Sequence, residues 1–214
     1  MQVGGIKVKA VDERGRPIEQ HYLLRFGGWT LEQYLKEAPE DLICEFVRGE
    51  VIMHSPATAE HQRLVKFLMR LLDGYCERKG CGEVLMGPAA VRILPDVIRE
   101  PDIFVIAKED LKRAKDAIDA RPIFIVEVIS PSTRALDLKE KADDYALSGI
   151  QEYWAVDPEQ KAVFVHRLKD GRYEVEVVEK GRVESISIPG FFIEVEWLFL
   201  LPRVDECLQV ILRS

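Results

Sequence analysis

Apolar residues recur at intervals of three and four between residues 55 and 80, with polar residues between them. This spacing predicts one long amphipathic helix that buries a single stripe of side chains. The stripe consists of Leu64, Phe67, Leu68, Leu71, Leu72 and Tyr75. Shorter helices are predicted after Thr30, over residues 108–120, and from residue 132 or 133 to Gly149, because threonine favours helix starts and glycine favours helix ends.

Strands are predicted where apolar residues alternate with polar ones or run without interruption. A hairpin over residues 42–47 and 50–54 turns at Arg48-Gly49. Further strands are predicted at residues 82–93, 103–107, 121–130, 152–156, 162–167, 173–178 and 183–188. This order predicts an α/β (α+β) fold, with a mixed central sheet flanked by helices and an antiparallel C-terminal β part. We expect one domain over residues 29–214, preceded by an N-terminal extension over residues 1–28.

The composition fits such a domain and constrains its partners. The chain has 214 residues, of which 47% are hydrophobic and 31% are charged. This length and hydrophobic fraction are enough for a substantial core. The formal net charge of -7 weighs against a protein that binds nucleic acid through its overall charge. One local basic face is nevertheless enough to bind phosphates.

The spacing of the cysteines and the short length of the apolar stretches predict a cytoplasmic protein. Cys44, Cys76, Cys81 and Cys207 form no CxxC pair and are too few for a disulfide scaffold, so we expect core thiols. The first residues lack the apolar region of a signal peptide, and no stretch is long enough to span a membrane. The histidines show no zinc-ligand spacing.

Two carboxylates occupy positions that call for a partner. Glu127 lies in the second half of a nearly continuous apolar strand, where an unpaired carboxylate would cost several kcal/mol. Asp102 directly precedes the neighbouring candidate strand. Carboxylates on adjacent strands can converge on Mg²⁺, which is typically held by one or two of them plus waters and phosphate oxygens. A salt bridge or a turn is the commoner role for each residue alone, so position leaves the question open.

Several motifs in order resemble a known family. They are Glu100-Pro-Asp-Ile-Phe-Val, then Ile125-Val-Glu-Val-Ile-Ser-Pro-Ser-Thr, then the stretch over residues 137–158, with an upstream pattern at 45–56 and 60–62. Together they resemble the Uma-type restriction-endonuclease-like family of the PD-(D/E)xK nuclease superfamily, over about residues 31–199. The resemblance implies a restriction-endonuclease-like fold, in which Asp102 and Glu127 are catalytic residues that bind a metal.

The active-site lysine departs from the standard PD-(D/E)xK motif. Two residues after Glu127, where the motif has lysine, this chain has Ile129. The resemblance implies that the next helix supplies the lysine, and Lys141 matches the family position better than Lys139. Helical spacing predicts an inward stripe of Leu138, Ala142, Tyr145 and Gly149. Helix geometry alone does not choose between the lysines, because they border opposite edges of this stripe, and a solvated face is the common position of lysine.

Four further residues are possible accessory members of the site, each with a structural alternative. Glu45 resembles an upstream acidic metal ligand, or it points at solvent from its hairpin strand. His61 approaches the site, or it lies at the surface. Ser130 orients Glu127 or a phosphate, or it serves as a turn residue. For Asp137 the spacing to Glu140 favours a helix cap, with an active-site role second.

The resemblance implies a Mg²⁺-dependent endonuclease with a migrated lysine, in which Mn²⁺ can substitute, and it implies DNA as the partner. The sequence does not distinguish DNA from RNA, or endonucleolytic from exonucleolytic action. Cutting both strands of a duplex would favour a homodimer. Two alternatives stay open: a non-catalytic nucleic-acid-binding or regulatory module that keeps the fold, and an interaction protein whose acidic pocket is structural. The isoleucine at position 129 and the net charge favour these alternatives.

Overall fold

The computed structural model describes residues 2–3, 6–7, 22–38, 42–111 and 119–214. The strands within these ranges are β1 Gln2–Val3, β2 Ile6–Lys7, β3 Leu23–Gly27, β4 Cys44–Val47, β5 Glu50–His54, β6 Glu83–Met86, β7 Val91–Leu94, β8 Val97–Arg99, β9 Ile103–Ile106, β10 Pro122–Val128, β11 Glu152–Asp157, β12 Ala162–Lys169, β13 Arg172–Val178, β14 Arg182–Glu184 and β15 Phe192–Glu194. The helices are α1 Leu31–Glu37, α2 Ala59–Lys79, α3 Lys108–Leu111, α4 Ala142–Ser148, α5 Val195–Leu200 and α6 Val204–Arg213, and a π-helical segment, Leu136–Lys141, precedes α4.

A six-stranded mixed sheet forms the centre of the fold, in the order β13-β12-β11-β10-β9-β6. β10 and β11 are parallel and are connected through α4, whereas the other neighbours are antiparallel. The predicted mixed sheet with an antiparallel C-terminal part is therefore confirmed.

Helices cover both faces of this sheet. The predicted apolar stripe of α2 is buried against one face, together with residues of α5 and α6. Ala142 and Tyr145 of α4 pack with Tyr153 on the other. Gly80 ends α2 in the left-handed conformation, as glycine commonly does at helix ends. Within the described ranges, no helix is long and apolar enough to cross a membrane.

A second, antiparallel sheet has the order β3-β5-β4-β8-β7 and contains the predicted hairpin. Its core includes Tyr34, Phe46 and Ile98. β3 belongs to the segment 1–28 that we treated as an extension, and it pairs with β5 over its full length. The strand β8, which our sequence analysis missed, joins β4 to β7.

Two predicted strands were wrong in extent. The strand expected over residues 82–93 is divided between β6 and β7, which belong to different sheets, because Gly87-Pro88 interrupts it and proline has no N–H for a ladder. The strand expected over 183–188 ends at Glu184. The buried carboxylate of Glu152 accepts hydrogen bonds from the N–H groups of Ile186 and Ser187, which replace a strand partner. Of the helix predicted at 108–120, residues 112–118 lie outside the described residues.

Candidate active site

Asp102 and Glu127 lie side by side at one end of the central sheet. Ile103 of β9 pairs with Val126 of the antiparallel strand β10. Asp102 directly precedes Ile103 and Glu127 directly follows Val126, so both acidic residues lie at the same end of this strand pair. The Asp102 N–H donates to Glu127 Oε2 at 3.3 Å, and the Val128 N–H donates to Asp102 Oδ2 at 2.7 Å. Both side chains line the same cavity, which measures about 120 Å³. The carboxylates thus face one pocket.

Lys141 reaches this pocket from the π-helical segment. Its ammonium Nζ lies 2.8 Å from Glu127 Oε1 and 3.4 Å from both Glu45 Oε1 and Asp137 Oδ1. Lys141 is buried, whereas Lys139 is exposed to solvent. Of the two lysines that the sequence left as candidates, the structure therefore brings Lys141 to the carboxylates.

Glu127 is held from several directions. Besides Lys141, the Tyr145 hydroxyl donates to Glu127 Oε1 at 2.7 Å. Burial raises the pKa of Glu127 to about 8, against the attraction of Lys141, and the nearby Asp102 adds to the rise. Our sequence analysis placed Tyr145 on the inward stripe of its helix but did not identify it as a site residue.

Glu45 is completely buried, so the solvent-facing alternative for it was wrong. The Arg99 guanidinium donates to Glu45 Oε2 at 2.8 Å and to Asp144 Oδ2 at 2.6 Å, and Asp144 also accepts from Arg48 at 2.6 Å. Burial acts to raise the pKa of Glu45, but Lys141 and Arg99 together lower it well below its usual range. A chain of alternating charges thus links the surface to Lys141.

Two histidines line the cavity. His61 Nε2 lies 3.1 Å from Asp102 Oδ2, so the surface alternative for His61 was wrong. Burial acts to lower the pKa of His61, but Asp102 raises it above its usual value. His54 Nε2 lies 3.3 Å from Glu45 Oε2. Sequence reasoning missed His54, whose position at the end of a predicted strand was the available signal.

Ser130 and Asp137 differ in how they relate to the pocket, although both line it. The Ser130 N–H donates to Thr133 Oγ1 at 3.1 Å, and the two hydroxyls lie 2.9 Å apart, so Ser130 serves as a turn residue. The helix cap expected at Asp137 was wrong. The Asp137 N–H donates to the Thr133 carbonyl within the helix, and its buried carboxylate faces Lys141 instead.

Glu100 is a further carboxylate that sequence reasoning missed, although it directly precedes Pro101-Asp102. Its Oε1 accepts the Cys44 N–H at 3.1 Å. Its Oε2 is buried and has no hydrogen-bond partner among the residues that the structure describes. Burial raises the pKa of Glu100 to about 8; the Cys44 N–H opposes the rise and Glu45 adds to it.

The donor atoms of the pocket fit a hard divalent cation. Glu100 lines the same cavity as Asp102 and Glu127, and one of its carboxylate oxygens has no hydrogen-bond partner among the described residues. No group of three or more His, Cys, Asp or Glu side chains is arranged as a metal site within the described ranges. Mg²⁺ does not require such a group, because it keeps several waters and takes one or two protein carboxylates.

Comparisons with known proteins agree with this architecture. The model of the Uma2 family, described as "Putative restriction endonuclease", matches residues 31–196. A crystal structure titled as a putative nuclease belonging to DUF820, from Anabaena variabilis, aligns with a TM-score of 0.70 at 19% sequence identity. The alignment covers 80% of this chain and 98% of the other, so the two proteins share a fold. A comparison with curated proteins found no match.

Proposed function

The chain belongs to the Uma2 family, and from this premise we propose that it is a metal-dependent nuclease that hydrolyses phosphodiester bonds in DNA endonucleolytically. The family and the nuclease-like fold support the general activity. The observation that carries the specific proposal is the position of Lys141. Its ammonium lies 2.8 Å from Glu127 in the cavity that Asp102 also lines, and so replaces the lysine that the chain lacks at Ile129.

Asp102 and Glu127 would hold Mg²⁺, or Mn²⁺ in its place, with Glu100 as a nearby third carboxylate. Restriction-endonuclease-like enzymes generally use divalent metals, and such an ion supplies positive charge beside the scissile phosphate. His61 and the Val128 N–H fix Asp102 Oδ2, while Tyr145 and Lys141 fix Glu127 Oε1. Preorganised ligands of this kind need little rearrangement when a cation binds.

Lys141 has the chemistry for a direct role in hydrolysis. An ammonium group at the edge of the carboxylate pair stabilises an anionic nucleophile and the negative charge that develops on the phosphate. Burial acts to lower the pKa of Lys141, but Glu127, Glu45 and Asp137 raise it well above its usual value. Lys141 therefore acts as a fixed positive charge and hydrogen-bond donor, rather than as a base.

A non-catalytic module that keeps the fold is the second candidate. The observation in its favour is that Lys141 is buried among three carboxylates, which neutralises much of the pocket without a metal. In that case the carboxylates and Lys141 are a structural ion network, so exchanging one of them lowers the stability of a protein whose wild type already cleaves no nucleic acid.

Nicking of supercoiled plasmid with Mg²⁺ or Mn²⁺ separates the two candidates. We expect wild type to nick, Asp102→Asn and Glu127→Gln to lose the activity, and Asp143→Asn to keep it, because Asp143 is exposed on α4. EDTA should abolish the wild-type activity. If folded wild type leaves plasmid and RNA intact with both metals, the nuclease proposal is wrong.

Assembly and location are also proposals. Double-strand cleavage would require two such sites, and a two-fold homodimer is the commonest symmetric arrangement that supplies them. Light scattering of the purified protein measures its mass directly. The four cysteines form no disulfide in the part of the chain that the structure describes, which fits the proposed reducing cytoplasm.

A further inference from the structure

A basic stripe begins near the cavity and runs along the solvent face of α2 toward the C-terminal end of the helix. It consists of Arg63, Lys66 and Arg70, all of which are exposed. At about 100° per residue, the three positions fall within an arc of about 60° on the helix surface. They extend over about 10 Å of the helix axis, at roughly 1.5 Å per residue.

The three cations of the basic stripe have no ion-pair partners among the residues that the structure describes. The arginine and lysine ion pairs of these described residues involve Arg25, Arg48, Arg99, Arg134, Lys141, Arg167, Lys169, Arg182 and Arg203 instead. In a chain with a net charge of -7, these three cations form a local concentration of positive charge on one helical face. They are available to an anionic partner.

The basic stripe is continuous with the cavity through the first turn of α2. Thr58, His61 and Gln62 line the cavity, and Arg63 follows directly on the solvent side. The positive end of the helix dipole points to the same place, because Thr58 is the N-cap of this 21-residue helix.

The sign of the helix face changes farther from the cavity. After Arg70, the positions that continue the same face are Asp73 and Glu77. The positive charge of this face is therefore confined to the turns between Arg63 and Arg70. A general solubilising surface would not require this confinement, whereas a partner that enters the cavity would contact only these turns.

We infer that Arg63, Lys66 and Arg70 bind the phosphodiester backbone of the nucleic-acid strand next to the cleavage site. The inference rests on the proposed function for the identity of the ligand. The length of the basic stripe matches about three successive phosphates of one strand, at roughly 3.4 Å of rise each. Contacts of this kind hold the strand in register and carry no base specificity.

Binding of fluorescein-labelled single-stranded and duplex DNA at increasing KCl tests the inference. The measurement is made in EDTA, so that no cleavage occurs. The test variant is Arg63→Gln/Lys66→Gln/Arg70→Gln. The matched control, Lys161→Gln/Arg172→Gln/Lys180→Gln, removes the same charge at exposed positions in or next to β12 and β13, at the edge of the central sheet opposite β6.

We expect the basic-stripe variant to bind roughly tenfold more weakly, and the slope of log K against log salt to fall by about 2–3, since each lost phosphate contact removes about 0.7–0.9 from it. The control should match wild type. Equal losses in both variants, an unchanged slope in the basic-stripe variant, or no binding by wild type would overturn the inference.

Hydrolysis of bis(p-nitrophenyl) phosphate with Mn²⁺ separates this inference from the proposed function. This small diester has no flanking phosphates for the basic stripe to bind, so the basic-stripe variant should hydrolyse it at nearly the wild-type rate. If wild type binds DNA through the basic stripe but hydrolyses neither plasmid DNA nor the small diester, the inference stands and the nuclease proposal fails. If wild type cleaves both substrates and the basic-stripe variant still binds DNA as tightly as wild type, the nuclease proposal stands and the inference fails.

Discussion

At the scale of single residues, Glu100 is a carboxylate of the pocket whose hydrogen bonds are only partly satisfied by the described residues. Glu100 lines the cavity; its Oε2 is buried without a hydrogen-bond partner among the described residues, while Oε1 accepts one backbone hydrogen bond. A buried acceptor without a partner costs about 1–3 kcal/mol when no ligand satisfies it. Because the pKa of Glu100 rises from 4.5 to about 8, the proton is favoured in the folded state.

We predict that Glu100→Gln stabilises the metal-free protein above pH 8 by about 1–3 kcal/mol. A carboxyl whose folded pKa is raised contributes stability that is fully present below pH 4.5 and is lost as the pH rises through 8. The amide keeps the acceptor for the Cys44 N–H and carries no charge, so the variant should lose part of this decline. Urea unfolding at several pH values measures it. A wild-type pH profile in Glu100→Gln, or an equal effect from Glu179→Gln at the exposed Glu179, would contradict the prediction.

At the scale of elements, the helix after β10 shows what the sequence could and could not predict. The inward positions Ala142 and Tyr145 followed from helical spacing and are buried. The choice between Lys139 and Lys141 could not be made from helical spacing, because both lysines border that stripe in a helix of 3.6 residues per turn. The segment Leu136–Lys141 is π-helical, which changes the angular positions of its residues, and this local change cannot be derived from apolar spacing.

The connection from α2 to β6 depends on Gly82. A Cβ at this position would lie 2.2 Å from the Ile106 carbonyl oxygen of β9, where backbone would have to move. We predict that Gly82→Ala lowers the free energy of unfolding by about 1–3 kcal/mol. Gly27→Ala is the control, because a Cβ there meets nothing within 4 Å. Thermal melts compare the two variants, and equal midpoints would contradict the close approach at Gly82.

On the scale of the whole molecule, the pocket joins the two large sheets. Glu45 and Arg99 belong to the five-stranded sheet, whereas Glu127 belongs to the six-stranded sheet. Strand and helix types followed from local patterns. The buried ion network did not, because its partners lie far apart in sequence: 54 residues separate Arg99 from Glu45, and 45 separate it from Asp144. The family resemblance, rather than spacing, pointed to Glu45, Asp102, Glu127 and Lys141 together.

Metal binding should be visible in the stability of the whole protein. We predict that excess Mg²⁺ or Mn²⁺ raises the thermal midpoint of wild type, because a ligand at 100 times its Kd stabilises the folded state by about 2.7 kcal/mol. Asp102→Asn should not respond to metal. Its melt without metal should be near or above that of wild type, because it removes a charge beside Glu127. A much lower midpoint in the metal-free variant, together with a wild type that ignores metal, would make Asp102 a structural residue.

The migrated lysine is tested most directly by the rate of plasmid nicking with Mn²⁺ in Lys141→Gln and Lys139→Gln. Both variants remove one charge from the same helical segment, but only Lys141 contacts Glu127. We expect Lys141→Gln to lose roughly 100-fold or more in rate, as loss of one transition-state donor does, and Lys139→Gln to match wild type. Circular dichroism at the assay temperature ensures that each variant is folded. Equal rates in the two folded variants, or a loss confined to Lys139→Gln, would contradict the assignment of Lys141.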